Sequence, residues 1–239
     1  MVVDEHGKFL SQRREPLMAT LATYLNDDHI RVERSSGGSY TIPLNPPQPG
    51  ERVEVCLHGA TRRGFETSSC ANTWFSEALN TPCRLVESVP HEDPWRNEDP
   101  EAESANTYFP DLYPILITSE ESLEDLFPNS TITMDRFRPN LVVKGSQPFA
   151  EDEWEDIEIG GAILKLVKPC ARCQVTTVDQ TTGIQSGSEP LKTLGIQRRW
   201  NGKAVFGWNA LVTHTGKIQT GDAVKIQTSH SQSVLIGPK

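Results

Sequence analysis

Short β-favouring runs, broken at close intervals by turn residues, dominate the first sixty positions of the chain. Val2-Val3-Asp4 and Lys8-Phe9-Leu10-Ser11-Gln12 flank Glu5-His6-Gly7 and predict a hairpin. Met18 to Leu25 and His29 to Glu33 predict a second, joined by Asn26-Asp27-Asp28, whose side chains satisfy local backbone groups in turns. Ser39 to Leu44 and Arg52 to His58 add two strands, divided by Asn45-Pro46-Pro47-Gln48-Pro49-Gly50, which cannot donate a sheet ladder. From Cys70 the spacing becomes helical: Trp74, Phe75, Ala78 and Leu79 predict a short amphipathic helix ended by Asn80-Thr81-Pro82. Arg84 to Val89 returns to strand. Pro90 to Glu103 then runs rich in acid and proline without periodicity, which predicts a linker.

Beyond the linker, Tyr113 to Ile117 reads as an apolar strand, and Thr118-Ser119-Glu120-Glu121 has capping-box spacing ahead of a helix carrying Leu123, Leu126 and Phe127. Leu141-Val142-Val143 and Ile157-Glu158-Ile159 are strands, and Gly160-Gly161 folds Ala162 to Val167 back as a hairpin partner. After Cys173, the β-branched run Val175 to Val178 predicts a strand and Asp179 to Gly183 a turn. Ser188 offers an N-cap and Pro190 a first-turn proline for a helix through Leu194. Val205-Phe206, Ala210 to Val212 and Ala223 to Ile226 are later strands, with Thr220-Gly221-Asp222 as a turn. The expectation is an α+β, predominantly β protein: a β domain over 1–90, an acidic Pro-rich linker over 91–107, and a second β domain with short helices over 108–239.

Length changes little in this picture, since 239 residues with 36% hydrophobic content can bury a substantial core in one domain or two. Charge narrows the function classes. A formal net charge of -9 disfavours an electrostatic nucleic-acid binder, which needs a basic face to displace counterions. The N-terminus has no signal pattern, and no apolar run approaches the roughly 20 residues that span a bilayer, so a cytoplasmic protein is expected. Five cysteines form an odd set without disulfide-scaffold spacing, which fits a reducing compartment.

Two of them, Cys170 and Cys173, sit three residues apart in Lys168-Pro169-Cys170-Ala171-Arg172-Cys173, and four chemistries compete there. A structural zinc needs four ligands, and no second pair accompanies this one: His214 and His230 are sixteen apart. A dithiol redox couple wants its first cysteine at a helix N-terminus, whereas Val175-Thr176-Thr177-Val178 is poor helix sequence. Buried free cysteines acting as small hydrophobes are the bland reading. The fourth is a single thiolate on a soft, redox-active metal, with Lys168 and Arg172 holding an anionic cofactor.

Arg138-Pro139-Asn140-Leu141-Val142-Val143, Pro148 to Trp154, Lys168 to Cys173 and Thr176-Thr177-Val178-Asp179 resemble the MOSC domain family in order and spacing, and Glu189 to Leu194, Val205-Phe206-Gly207 and Ile218 to Asp222 continue the match. The first half, through Phe9 to Arg13 and Pro82 to Val86, is similar to the β-barrel-like domain that accompanies MOSC domains in amidoxime-reducing proteins of mitochondria and bacteria. The resemblance covers essentially the whole chain. It implies a molybdenum cofactor, a molybdopterin whose dithiolene holds the metal, in a cleft between the two domains, with Cys173 as the protein's own metal ligand and catalytic residue. Cys170, Ala171 and Arg172 would line the pterin, and Arg138 and Asn140 would meet its phosphate and pterin edges. Asp111 and Tyr113 fall in another cofactor-contacting segment, and Asn209 matches a position close to the metal. Pyridoxal phosphate binding also accompanies the family, with no residue here assigned to it.

The implied activity is reduction of N-oxygenated small molecules such as amidoximes and hydroxylamines, with electrons from a b-type cytochrome and an NADH-dependent reductase. The alternatives are a non-catalytic cofactor or sulfur carrier, or an inactive, N-terminally shortened form. Relatives open with a strand bearing a Tyr-Pro-Val-Lys-Ser-like segment and then an Asp-Arg-x-Trp segment; Met1-Val2-Val3-Asp4 aligns just after these, so that strand is expected to be absent. With a preceding anchor, the expected location would be the mitochondrial outer membrane.

Overall fold

The computed structural model describes residues 1–46, 50–88 and 113–230. They fall into two compact units. One takes the described residues of Met1–Trp95 together with Val178–Ser186, the other those of Asp111–Thr177 and Gly187–Lys239. The linker expected over 91–107 and the candidate Asp111 lie outside the described residues.

The first unit contains β1 (Val2–Asp4), β2 (Leu21–Leu25), β3 (His29–Arg34), β4 (Ser39–Pro43), β5 (Arg52–Leu57), β6 (Ala60–Glu66), α1 (Ser69–Leu79) and β7 (Cys83–Ser88). They form two antiparallel sheets ordered β1-β7-β6-β5 and β2-β3-β4. Helix α1 starts where the Ser68 hydroxyl accepts from the Ala71 amide at 3.1 Å, and stops at Asn80, which enters the left-handed region at φ 51°. Ala71, Phe75 and Leu79 recur every fourth residue and make the buried face, packing with Val2, Leu10, Val32 and Leu85. Strand β6 is absent from the sequence reading because Arg62 and Arg63 interrupt its apolar pattern. Gly64 is what admits it. A Cβ there would lie 2.4 Å from the Val86 side chain and 2.5 Å from the Glu87 carbonyl, so β7 can approach only a glycine.

The second unit contains β8 (Ile115–Ser119), α2 (Glu120–Leu126), β9 (Leu141–Val143), β10 (Trp154–Ile159), β11 (Ala162–Ala171), α3 (Leu191–Gln197), β12 (Arg199–Trp200), β13 (Lys203–His214) and β14 (Val224–Ser229). One sheet runs β14-β10-β11-β13-β8-β9, with β12 paired to β13. Only β8 and β9 are parallel among its pairs. Ile117, Ile157, Leu164, Leu166, Trp208 and Ala210 fill its buried face. Both units are dominated by strands with short helices, as the α+β expectation holds.

Local details differ from the sequence reading for identifiable reasons. The run after Cys173 is a 3-10 helix over Gln174–Thr177, not a strand. The Thr176 hydroxyl donates to the Cys173 carbonyl at 2.9 Å and the Thr177 hydroxyl to that of Gln174 at 2.8 Å, so β-branched residues with hydroxyls bond back to the chain. Helix α2 is capped one residue later than expected: Ser119, not Thr118, accepts from Ser122, while the Glu121 carboxylate serves the Gly145 amide at 2.6 Å. Thr118 is instead buried at the end of β8. Ser188 does not cap α3 with its side chain; the Glu189 carboxylate accepts from the Thr193 amide at 3.1 Å. Met18 to Thr20 join a 3-10 turn begun by Pro16, and β2 starts at Leu21. The two strands expected around 205–212 are one twelve-residue strand, β13.

Buried polar groups fix the second unit as firmly as its apolar face. Glu151 is 1% exposed and receives the Ser122 hydroxyl at 2.7 Å, whose oxygen in turn accepts from the Phe149 amide at 2.8 Å. Burial pushes the Glu151 carboxyl above its ordinary value of 4.5, although Ser122 opposes the shift. A raised carboxyl value means the stabilising contribution is fully present below pH 4.5 and is lost as pH rises through the folded value. The stability difference between Glu151→Gln and the native chain should therefore be flat below pH 4.5 and move in favour of Gln above it; urea titrations across pH check this.

Candidate functional site

Strand β11 delivers the cysteines to the end of the sheet. Cys170 is half-buried within the strand, and Ala171 and Cys173 are exposed where the chain leaves it. The loop is held at both sides. The Arg172 amide donates to Ala204 at 2.8 Å, and the Cys173 carbonyl accepts from both the amide and the hydroxyl of Thr176, at 3.1 and 2.9 Å. The Cys173 thiol therefore projects from a fixed backbone with no hydrogen-bond partner among the described residues.

The Arg172 side chain points into the protein. Its Nε donates to the Phe206 carbonyl at 3.0 Å and its Nη1 to the Phe137 carbonyl at 3.3 Å, and its guanidinium carbon lies 5.5 Å from the Phe137 ring centroid. Burial lowers its pKa, opposed by the nearby thiols of Cys170 and Cys173.

Arg138 follows the 3-10 helix Met134–Phe137 directly and is exposed. Its backbone is left-handed, φ 53° and ψ 49°, ahead of a proline, a conformation costing an L residue about 1 kcal/mol or more. Strain of this kind is kept where the surroundings over-determine it. Arg138→Gly should fold more stably than Arg138→Ala by about 1 kcal/mol. Thermal unfolding of both variants checks it, and equal stabilities would contradict it.

Asn140, also exposed, is partly committed to the fold. Its Oδ1 accepts from the Leu116 amide at 2.8 Å and its own amide donates to the Leu116 carbonyl at 3.0 Å, which leaves its NH2 as the group able to meet a ligand. Leu116 pairs with Asn209 on β13, and Asn209 with Lys168 on β11. Lys168, Asn209, Leu116 and Asn140 thus occupy one row across the sheet. The close β8–β13 approach in this row needs Gly207, φ 72°, where a Cβ would sit 2.6 Å from the Ile117 carbonyl. Tyr113 is buried, with the Lys168 Nζ 4.9 Å from its ring centroid. Burial, with Lys203 nearby, lowers the Lys168 pKa. Its charge on an aromatic face is a suitable seat for an anion beside it.

Sequence reasoning missed a buried ion pair that supports this row. The Trp208 indole donates to Asp152 at 2.9 Å, and Arg198 donates to both oxygens of the same carboxylate at 2.7 and 2.9 Å. Trp208 pairs with Pro169, the residue before Cys170, so this ion pair anchors the strand that carries the cysteines. Asp152 lies inside an acidic run and Arg198 beside a second arginine, and nothing in either spacing marks them as partners. Among the described residues there is no cluster of three or more His, Cys, Asp or Glu able to hold a metal, so a closed zinc site finds no ligand set there. The dithiol reading also lacks its helix, since only a single 3-10 turn follows Cys173.

The family model for the MOSC domain matches residues 105–225, just over half of the chain, and that for the MOSC N-terminal beta barrel domain matches residues 1–82. The chain belongs to the MOSC domain family. The mitochondrial amidoxime-reducing component 1 of Mus musculus is 32% identical over 240 residues, spanning 94% of this chain and 70% of that protein. Its Homo sapiens counterpart is 30% identical, spanning 94% and 71%. The mitochondrial amidoxime reducing component 2 of Rattus norvegicus is also 30% identical, with the same coverage of 94% and 71%. Cys170, Cys173, Arg138, Asn140 and Asn209 all fall inside the MOSC match. Among the described residues no helix is long and apolar enough to cross a membrane.

Proposed function

We propose that this chain is a molybdenum-cofactor-dependent reductase that removes oxygen from N-oxygenated compounds such as amidoximes and hydroxylamines. The observation that carries the reading is the exposed, unpartnered Cys173 thiol on a backbone fixed by Arg172 and Thr176, within a MOSC domain whose relatives are named for amidoxime reduction.

The donor set suits the group. A thiolate is a soft ligand for molybdenum, and the exposed Arg138 fork suits a pterin phosphate. Asn140 offers its NH2 to a pterin edge, Asn209 stands in the same row, and Cys170 and Ala171 would complete the wall with Tyr113. When bound, the cofactor supplies two-electron oxygen-atom exchange with the substrate. The substrate's N–O bond breaks, two electrons and two protons are consumed, and the oxygen leaves as water.

The protein's part is to hold and orient. Cys173 fixes the metal end, Arg138 the phosphate end, and the Lys168 ammonium over Tyr113 keeps positive charge beside the site. The electrons would come from separate proteins, a b-type cytochrome and its NADH-dependent reductase, and a mitochondrial location follows the relatives' names. Purification from a host that makes the cofactor, with metal analysis and an amidoxime-reduction assay using a chemical electron donor, tests the reading. Stoichiometric molybdenum and turnover are expected; no molybdenum and no turnover would sink it. The exposed thiol also suits a sulfur or cofactor carrier, and labile sulfur or retained cofactor without turnover would favour that reading instead.

A further inference from the structure

Arg172 carries a full charge, yet the protein itself covers its guanidinium, and all the hydrogen bonds of its side chain go to backbone carbonyls on two other segments. A ligand lying against the cysteine loop would find the face of this fork already occupied. Phe137 is the last residue of the 3-10 helix, so its carbonyl is one of the acceptors a helix end leaves open, and Arg172 fills it. The next residue is Arg138, whose left-handed backbone is strained and must be held from outside. Phe206 belongs to β13, three residues before Asn209. Arg172 therefore ties the loop ending in Cys173 to the turn bearing Arg138 and to the strand bearing Asn209.

We propose that Arg172 is a positioning residue: its fork fixes the Phe137 carbonyl, and through it the Arg138 backbone, relative to Cys173, so that both ends of one elongated anionic cofactor meet preset partners. Arg172 itself does not touch the cofactor. Its neighbour Cys173 supplies the metal contact and Arg138 the phosphate contact, so the proposal rests on the reading above. Lysine cannot replace it, because one ammonium on a flexible stem does not span carbonyls on two segments as a planar guanidinium does. The Arg172 Nη2 is buried and makes no hydrogen bond among the described residues, so the two carbonyl contacts are the ones that hold the fork in the protein.

Two measurements on the full chain test this. In cofactor-free protein, amide hydrogen exchange in the 136–143 segment should quicken about tenfold or more in Arg172→Lys and in Arg172→Ala, because the clamp on that turn is gone. Should the alanine variant fail to fold, the lysine variant carries the test. Unchanged exchange in a folded variant would overturn the clamp.

The second measurement is a double-mutant cycle on molybdenum-cofactor retention with Arg138→Ala. Losing Arg172 should lower retention about tenfold when Arg138 is present and less than about twofold when it is absent, since its effect passes through Arg138. Independent, multiplying losses would place Arg172 in direct contact with the cofactor and refute the positioning role. If the native chain retains no cofactor, the functional reading falls, while the exchange comparison still decides the clamp.

Discussion

Replacing Cys173 with serine should abolish the proposed reductase activity, a fall of roughly three orders of magnitude or about 4 kcal/mol of transition-state stabilisation, while the far-UV spectrum and melting temperature stay unchanged. The reasons lie at opposite ends of the residue. Its backbone carbonyl accepts from Thr176 twice, and a serine preserves that. Its side chain is exposed, so the fold loses little when sulfur becomes oxygen. What changes is the ligand: an alkoxide or hydroxyl is harder and less electron-donating than a thiolate, and suits a soft molybdenum site poorly. Cys170→Ser should be milder, because Cys170 is half-buried at the end of β11 and its proposed part is in the wall of the site, not on the metal. Steady-state rates and metal content of both variants check the pair. Equal losses would remove the distinction between the two thiols.

The second large effect is on stability. Asp152→Ala should destabilise the second unit by about 3–5 kcal/mol, since truncating one partner of a buried pair leaves the other charge uncompensated. Arg198 and Asp152 side chains are 8% and 14% exposed, so solvent does little to screen them. The same change strips the Trp208 indole of its acceptor, and the Arg198 guanidinium, 4.1 Å above the Phe149 ring, is left facing an apolar surface. Asp152→Asn keeps an oxygen for Trp208 but loses the charge and should cost less. Chemical denaturation measures both. A loss below about 1 kcal/mol for the alanine variant would show that the pair behaves as a surface salt bridge.

The strands and turns of this protein are legible where a residue type dictates its conformation unaided. Gly160-Gly161 announces a hairpin because two glycines satisfy a turn unaided, and Ile159 pairs with Ala162 as that turn requires. Asn80 ends α1 as its place in the sequence suggests. Where several neighbouring side chains could each bond to nearby backbone, the pattern alone does not say which of them does. Thr118 looked like a cap until β8 continued one residue further and buried it, handing the cap to Ser119. Val175 to Val178 looked like a strand because β-branching was weighed without the two threonine hydroxyls that close a 3-10 turn.

The candidate site divides in the same way. The motifs around Cys170, Cys173, Arg138 and Asn209 stand in the sequence, and the row from Lys168 to Asn140 explains why segments so far apart can serve one site. The support beneath it does not stand there. Asp152 and Arg198 are 46 residues apart, and Arg172 and Phe137 are 35 apart; such pairs exist only once the sheet has formed. The resemblance placed Arg172 against the pterin, whereas its hydrogen bonds go to carbonyls of the protein.

Molybdenum K-edge X-ray absorption of the purified, cofactor-loaded chain, compared with Cys173→Ser, probes the metal's sulfur environment directly. A native spectrum showing the cysteine sulfur beside the dithiolene pair, and one sulfur fewer in the serine variant, is the expected result. Identical sulfur coordination in the two proteins would contradict Cys173 as the metal ligand.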